Sequence, residues 1–170
     1  MVNKKYKLLK DKTLSFGRYK LHRIEALRDF GKVRKGDKGG FIEKESNLSQ
    51  EGDAWVFGDA QVYENAQVSG NAWIFQNALV FGNAWVSGNA RVSGNARVSG
   101  NAQVSGDARV YRDAQVSGDA WVSENAWVFE DAQVSGDARV FGNARVYGNA
   151  QVYGNDQVSG NDQVYGDVWV

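Results

Sequence analysis

Apolar residues recur along this chain with a period of six. A valine or isoleucine occupies every sixth position from Val56 to Val170, twenty times without an insertion or deletion, and an alanine stands two residues before each one from Ala54 to Ala150. Successive side chains of a β-strand point to opposite sides, so Ala and Val of each Ala-x-Val unit share one side and the residues flanking Val share the other. The pattern predicts stacked short strands with Ala and Val in a common core.

The end of each six-residue unit is also regular. Three residues after each Val stands Asn or Asp, from Asp59 to Asp167. The residue before it is usually Gly, and the replacements are Glu64, Gln76, Arg112, Glu124 and Glu130. Since Asn and Asp tolerate the left-handed region best among non-Gly residues, we expect positive φ at Asn/Asp, with Gly easing the bend. Stacked amides at these corners are expected to form hydrogen-bonded ladders.

The residue that follows Val shows how many sides each coil has. Every third unit from Val56 carries, at this position, Phe57, Phe75, Ser93, Tyr111, Phe129, Tyr147 and Tyr165. The register that starts at Val68 holds one aromatic residue in six at this position. Dividing the units into two alternating sets instead does not separate the aromatic residues from the others. The sequence therefore predicts an all-β, single-stranded parallel β-helix that is triangular, with 18 residues per coil and a length of about 32 Å.

Residues 1–50 differ from the remainder, and we predict a small β-rich, basic N-terminal cap at 1–50 and a hexapeptide-repeat solenoid at 51–170. The first part holds 14 Lys or Arg against 6 Asp or Glu, whereas the second holds 6 against 14. We expect strands over 5–9 and 16–21 around a turn at 11–13. The spacing over 21–27 fits a strand or a helix, and we favour a strand. Residues 36–40 are expected to form a turn into the first coil, and the cap to cover the open edge of the solenoid.

The repeated Val-Ser-Gly-Asn-Ala-Arg pattern, as at 92–97, resembles the bacterial transferase hexapeptide-repeat proteins. This resemblance extends over the whole repeat region, which is more than two thirds of the chain. It implies the left-handed form of the parallel β-helix. The stretch 39–56 also resembles the entry segment of uncharacterised hexapeptide proteins from bacteria and their phages, which implies no activity.

Candidate chemistry is sparse. Transferases with this fold resemble one another in using a histidine base between coils of adjacent subunits, but the single histidine, His22, precedes the repeats. A general base must reach the proton that it removes, so we predict no catalytic residues, no cofactor and no enzymatic activity, with an acyltransferase-like enzyme as a weak alternative. The chain has no cysteine, and corners of mostly neutral Asn do not suit Ca²⁺, so no metal site is predicted either.

The aromatic side of the coil is the predicted interface. Its members are Trp55, Phe57, Trp73, Phe75, Tyr111, Trp127, Phe129, Tyr147 and Tyr165. Contiguous outward rings mark an interaction surface or ligand groove, although same-face stacking can also stabilise a sheet by itself. The sequence leaves open stacking alone, self-association, and a foreign ligand or partner.

Two functional hypotheses remain beside the weak enzymatic one. The first is a non-catalytic structural or interaction protein, a homo-oligomer or partner-binding module, whose basic cap engages something acidic. The second is an inhibitor or decoy from a phage or mobile element that presents an acidic solenoid to a host nucleic-acid enzyme. We expect no membrane segment, no signal peptide, no direct nucleic-acid binding and a cytoplasmic location.

Overall fold

A computed structural model describes residues 4–170 as a stack of very short parallel strands. The N-terminal segment, residues 4–50, contains β1 (Tyr6–Phe16), β2 (Tyr19–Ala26), β3 (Lys38–Ile42) and a 3₁₀ helix at Glu45–Asn47. The solenoid strands are β4 (Trp55–Val56), β5 (Gln61–Val62), β6 (Gln67–Val68), β7 (Trp73–Ile74), β8 (Leu79–Val80), β9 (Trp85–Val86), β10 (Arg91–Val92), β11 (Arg97–Val98), β12 (Gln103–Val104), β13 (Arg109–Arg112), β14 (Gln115–Val116), β15 (Trp121–Val122), β16 (Trp127–Glu130), β17 (Gln133–Val134), β18 (Arg139–Val140), β19 (Arg145–Tyr147), β20 (Gln151–Val152), β21 (Gln157–Val158) and β22 (Gln163–Tyr165).

The strands form three sheets, as the aromatic pattern predicts. Every third strand pairs in parallel, which gives a seven-stranded sheet from β4 to β22, a six-stranded sheet from β6 to β21, and a nine-stranded sheet in which β1, β2 and β3 precede β5 to β20. The register joins each residue to the one three units further on, as in Val92 with Val110. The predicted triangular β-solenoid with three six-residue units per coil is confirmed, while its left-handed sense stays an expectation from the resemblance.

The core is a column of small and branched side chains. Alanines from Ala54 to Ala150 and valines from Val56 to Val152 are fully or almost fully buried. Towards the C-terminal end the column weakens, because Asp156 and Asp162 replace alanine and are half-buried and exposed, respectively. One side of each strand therefore supplies the interior, and the other side is left to form three outer faces.

The corner geometry corrects one prediction. Positive φ occurs at the position before Asn or Asp, where Gly usually stands, and the five residues that replace Gly there also have φ between 58° and 63°. The expectation that Asn/Asp holds the left-handed conformation is therefore wrong. Gly is common here because it adopts this region without a steric cost.

A contact to the next coil accompanies each non-Gly residue at these corners. Four of these side chains accept a hydrogen bond from the backbone N–H of the Gly one coil further on: Glu64 from Gly82 at 2.7 Å, Gln76 from Gly94 at 2.7 Å, Glu124 from Gly142 at 3.0 Å and Glu130 from Gly148 at 2.9 Å. The fifth, Arg112, forms an ion pair with Glu130 at 2.8 Å. Each of these bonds offsets part of the strain of a left-handed non-Gly residue.

The predicted amide ladders are present at all three corners. In one of them, the Asn65 amide donates to Asn83 at 3.1 Å, Asn83 to Asn101 at 2.9 Å, and Asn101 to Asp119 at 2.7 Å. Ladders from Asn71 and Asn77 end in the same way on Asp107 and Asp113. An ionised Asp accepts hydrogen bonds but donates none, so each run ends where Asp stands.

The N-terminal segment differs from its predicted strands in two ways. The separate strands expected over 16–21 and 21–27 are replaced by the single strand β2, and the turn is displaced. β1 and β2 form an antiparallel hairpin whose turn lies at Gly17, which has φ 54°, rather than at 11–13. Residues 10–12 instead form an irregularity in β1, because Leu9 pairs with Arg23 and Thr13 pairs with His22. The extra residues are accommodated as a bulge, so the strand continues across the predicted turn.

The first coil of the solenoid begins inside the segment 1–50. β3 pairs in parallel with β5, and Leu48 bridges to Val68. Two glycines of β3 fit closely against the coil, since a Cβ on Gly39 would lie 2.6 Å from the carbonyl oxygen of Val56 and one on Gly40 would lie 2.5 Å from that of Ala60. The predicted turn at 36–40 is therefore a turn that passes into a strand at Lys38.

Side-chain donors satisfy the carbonyl groups at the start of the solenoid. The buried Lys5 ammonium donates to the carbonyl oxygens of Glu51, Gly52 and Ala54 at 3.2, 3.3 and 2.9 Å. The Asn47 amide donates to those of Glu64 and Ala66 at 3.1 and 2.9 Å. In later coils, the equivalent backbone carbonyl groups accept hydrogen bonds from backbone N–H groups of the preceding coil. The carbonyl oxygen of Ala102, for example, accepts from the N–H of Trp85. At the start of the solenoid, polar side chains thus donate the hydrogen bonds that a preceding coil donates elsewhere.

Candidate interaction face

The outer surface of the seven-stranded sheet carries most of the predicted interface residues. We call it the aromatic face, and it has two side-chain columns. The residue before each inward Val gives Trp55, Trp73, Arg91, Arg109, Trp127, Arg145 and Gln163, and the residue after it gives Phe57, Phe75, Ser93, Tyr111, Phe129, Tyr147 and Tyr165. Parallel in-register pairing brings like positions together in neighbouring coils.

Four rings of the second column form a continuous stack. Tyr111 and Phe129 have centroids 5.0 Å apart with planes at 2°, Phe129 and Tyr147 are 4.9 Å apart at 5°, and Tyr147 and Tyr165 are 5.3 Å apart at 13°. The first three are half-buried by one another, and Tyr165 is 60% exposed. Burial raises the pKa of the Tyr111 hydroxyl above its ordinary value, so this ring stays neutral at physiological pH.

Arginines lie over the tryptophans of the first column. The guanidinium carbons of Arg109 and Arg145 are 4.8 and 4.9 Å from the ring centroid of Trp127, on the strands before and after it. Arg91 lies 5.2 Å from the ring of Trp73. These distances suit cation–π attraction, so the first column is held in place as well and offers positive charge beside the rings.

Trp55 is the one predicted interface residue that does not reach the surface. It is only 1% exposed, because Phe30 and Tyr6 pack edge-on against it at centroid distances of 5.3 and 6.1 Å. Its inclusion in the interface is therefore wrong, since the N-terminal segment covers it. Lys32, from the same segment, reaches the ring of Trp73 at 5.3 Å and so marks the end of the face.

A recess interrupts the face where the ring column holds a serine. Phe75, Arg91, Ser93, Arg109, Tyr111 and Trp127 line a cavity of 220 Å³. Ser93 is 9% exposed and forms its floor. The register of β10 with β7 and β13 places Ser93 one coil from Phe75 and one coil from Tyr111. Neither Arg91 nor Ser93 was singled out from the sequence, although the break in the aromatic period at Ser93 is visible there.

Three single aromatic residues on the other two faces are more exposed than every ring of the aromatic face except Tyr165. Trp85 and Trp121 on the six-stranded sheet are 50% and 44% exposed, and Tyr153 on the nine-stranded sheet is 49% exposed. None of these three belongs to a ring stack in the described part of the chain. What distinguishes the aromatic face is therefore the continuity of its columns.

The remaining candidate residues lie apart from this face. His22 stands in β2, half-buried between β1 and β3, and its Nδ1 is buried without a hydrogen-bond partner among residues 4–170. In that range, no group of three or more His, Cys, Asp or Glu side chains is placed to hold a metal ion. No helix in residues 4–170 is long and apolar enough to cross a membrane.

Some charged side chains of the N-terminal segment and of the solenoid pair with each other within the molecule. The basic N-terminal segment forms ion pairs with acids of both halves, including Lys4 with Glu45 at 2.7 Å and Arg23 with Asp59 at 2.9 Å. The acids of the middle coils lie at three different corners, and most of them accept the ladder and backbone hydrogen bonds described above. These acidic side chains therefore serve as hydrogen-bond acceptors at the corners.

Comparison with known proteins supports the fold. The model of the YdcK beta solenoid repeat family matches residues 90–103, 102–114, 114–130, 132–148 and 138–154, together less than half of the chain. A search of curated proteins finds no match. The similarity to this repeat does not single out the transferase hexapeptide family that the sequence pattern resembles. With the parallel sheets and their three-sided register, it identifies the chain as a β-solenoid repeat protein.

Proposed function

We propose that this protein is a non-catalytic interaction protein and that its aromatic face docks onto a second copy of the chain. The observation that carries the proposal is the four-ring stack from Tyr111 to Tyr165, flanked by arginines that lie over Trp127. Trp, Tyr and Arg are the residues that dominate binding energy at interfaces. A flat sheet face with rigid rings loses little conformational entropy when it is covered.

The size of the face sets the expected strength of docking. A rod of about 32 Å with a face about 15 Å wide offers roughly 480 Å² per partner, so both partners together bury about twice that area. Stable interfaces usually bury roughly 1600 Å² in total, and smaller ones are transient. We therefore expect a reversible dimer with a dissociation constant in the micromolar range or weaker.

Sedimentation velocity over a wide range of protein concentrations tests this proposal. The wild-type chain should show a concentration-dependent shift to dimer, and a Trp73→Ser, Phe75→Ser, Phe129→Ser variant should remain a monomer. The matched control is Trp85→Ser with Trp121→Ser, which removes exposed rings from another face and should still dimerise. A monomeric wild type at every concentration, or loss of the dimer in the control alone, would contradict docking through the aromatic face.

The decoy hypothesis has less support. A DNA-like surface needs aligned negative charge, about one per 1.7 Å of axis, whereas Asp107, Asp113 and Asp119 stand at three different corners of the rod. The aromatic face itself presents Arg91, Arg109 and Arg145. An acyltransferase-like activity has no support from His22, because that residue lies in the N-terminal segment, away from the arginine-flanked face.

A further inference from the structure

We propose that the recess at Ser93 binds a planar aromatic group that carries a carboxylate. The site lies within a single chain and needs no second copy, so it goes beyond docking of the aromatic face and can be tested separately. Four features of the recess support it: its spacing, its charge, its size and its depth.

The spacing of the recess suits one ring. Ser93 occupies the register position that holds an aromatic ring in the coils on either side, with Phe75 below and Tyr111 above. Those two positions are two coils apart, about 9.6 Å at the usual strand spacing. The stacked rings higher in the same column are 4.9–5.0 Å apart. A single planar ring above Ser93 would therefore lie one ordinary ring spacing from each neighbour, in the offset geometry that aromatic pairs prefer.

The charge at the recess favours an anion. Arg91 and Arg109 line it and are exposed. Neither forms an ion pair with a carboxylate of residues 4–170. Each guanidinium lies over a tryptophan ring, at 5.2 Å for Arg91 on Trp73 and 4.8 Å for Arg109 on Trp127. Without a carboxylate partner among these residues, the N–H donors of both guanidinium groups remain available to an anionic ligand, and their fork matches a carboxylate.

The size and depth of the recess limit the ligand. Its volume is 220 Å³. Pockets that take drug-sized molecules begin at about 300 Å³, so one or two fused rings fit this limit. The side chain of Ser93 lines the recess and is only 9% exposed, and Phe75 and Tyr111 occupy the equivalent positions in the coils on either side. A ring held there would be shielded from water on both of its surfaces.

Calorimetric titration of the wild-type chain with 2-naphthoate tests the proposal. We expect one saturable site per chain with a dissociation constant below about 1 mM. Cyclohexanecarboxylate, which has the charge without the planar ring, and 2-naphthamide, which has the rings without the charge, should each bind at least about tenfold more weakly. Absence of binding at millimolar concentrations, or equal binding of the three compounds, would overturn the proposal.

Two variants locate the site. Ser93→Tyr supplies the missing ring from the chain itself and should abolish binding, and Arg91→Gln with Arg109→Gln should weaken it at least about tenfold. Ser105→Tyr is the matched control, because it makes the same change on the six-stranded sheet between Ser87 and Ser123, where no ring column exists. It should leave binding unchanged.

Thermal unfolding verifies that each variant is folded. Ser93→Tyr completes the column and should melt no lower than the wild type. Undiminished binding of 2-naphthoate by Ser93→Tyr, or equal loss in Ser105→Tyr, would place binding elsewhere and refute the assignment. If Ser93→Tyr also removed self-association, the recess would be part of the docking surface, whereas loss of ligand binding alone leaves the docking proposal untouched.

Discussion

At the scale of single residues, the corners combine a strained backbone with a bond to the next coil. A side chain in the left-handed region costs roughly 1–2 kcal/mol, yet five positions keep one. Four of the five are Glu or Gln, whose acceptor atoms reach the N–H of the equivalent Gly in the following coil. Replacement of Gly is therefore tolerated where the new side chain binds the coil above.

Substitutions of Glu124 separate the cost of its left-handed backbone from the stabilisation by its hydrogen bond to the next coil. Glu124→Ala keeps the left-handed conformation but loses the bond to Gly142, so the free energy of unfolding should fall by about 1 kcal/mol. Glu124→Gly loses the same bond but relieves the strain, and should be close to the wild type. Chemical denaturation measures both variants. A Gly variant less stable than the Ala variant would contradict this account.

Lys5 makes folding sensitive to alkaline pH. Burial, with a smaller contribution from Arg28, lowers the pKa of Lys5 from 10.5 to about 8. Between these two values the unfolded chain binds the proton more tightly than the folded chain does. The contribution of Lys5 to stability should therefore increase as the pH rises from 8 to 10.5 and be lost as the pH falls again.

Denaturation midpoints measured from pH 8 to 10.5 test this dependence. Lys5→Met should remove the rise attributable to Lys5, and Lys4→Met, which changes an exposed neighbour paired with Glu45, should retain it. An NMR titration of the Lys5 ε-methylene protons gives the pKa directly. Titration near 10.5 would rule out the proposed dependence.

At the scale of structural elements, the amide ladders behave as directional chains. Within a ladder, each Asn donates to the equivalent residue one coil further on, and a run that meets an Asp stops there, as in Asn65, Asn83, Asn101 and Asp119. The next residue in that column is Asp137, so two carboxylates follow one another about 4.8 Å apart. Like charges in adjacent strands are destabilising.

Moving the point where the ladder ends should change stability in a predictable direction. Asn101→Asp removes the donor to Asp119 and adds a third carboxylate to the column, so we expect the free energy of unfolding to fall by about 1–2 kcal/mol at pH 7. Asp119→Asn is the opposite change and should raise stability slightly, because it gains a donor towards Asp137. Equal effects of the two substitutions in denaturation experiments would exclude the ladder as the cause.

The sequence predicts those features that follow from the repeat period, and it does not predict those that depend on contacts between distant segments. Val and Ala at a period of six fix the inward side of each strand, and the ring period of three units fixes the number of sides, because both follow from strand geometry. The turn at Gly17 and the burial of Trp55 were missed, since both depend on contacts between β1, β2 and the first coil. Positive φ was expected at Asn/Asp because these residues tolerate the left-handed region. In the structure they form the hydrogen-bonded ladders, and the residue before them has the positive φ.

At the scale of the whole molecule, the three faces are chemically different although one six-residue unit builds them all. The aromatic face holds the stacked rings and three arginines, whereas the six-stranded sheet has serine after Val in all but one of its strands. The residues of the aromatic face, apart from the covered Trp55, could be identified from the sequence because every third unit belongs to the same face. The recess was missed because it needs the positions of Arg91 and Arg109 as well as the gap at Ser93.

The three-sided register has a consequence for how such a chain can change its length. Gain or loss of one complete turn would lengthen or shorten the rod while every ring, amide and arginine column stayed on its own side. Gain or loss of a single hexapeptide would preserve the interior equally well but rotate all later residues by one side, so Tyr111 and Phe129 would no longer continue the column of Phe57 and Phe75. A single six-residue unit thus preserves the interior, whereas the residue pattern of each outer face is preserved only when three units are gained or lost together.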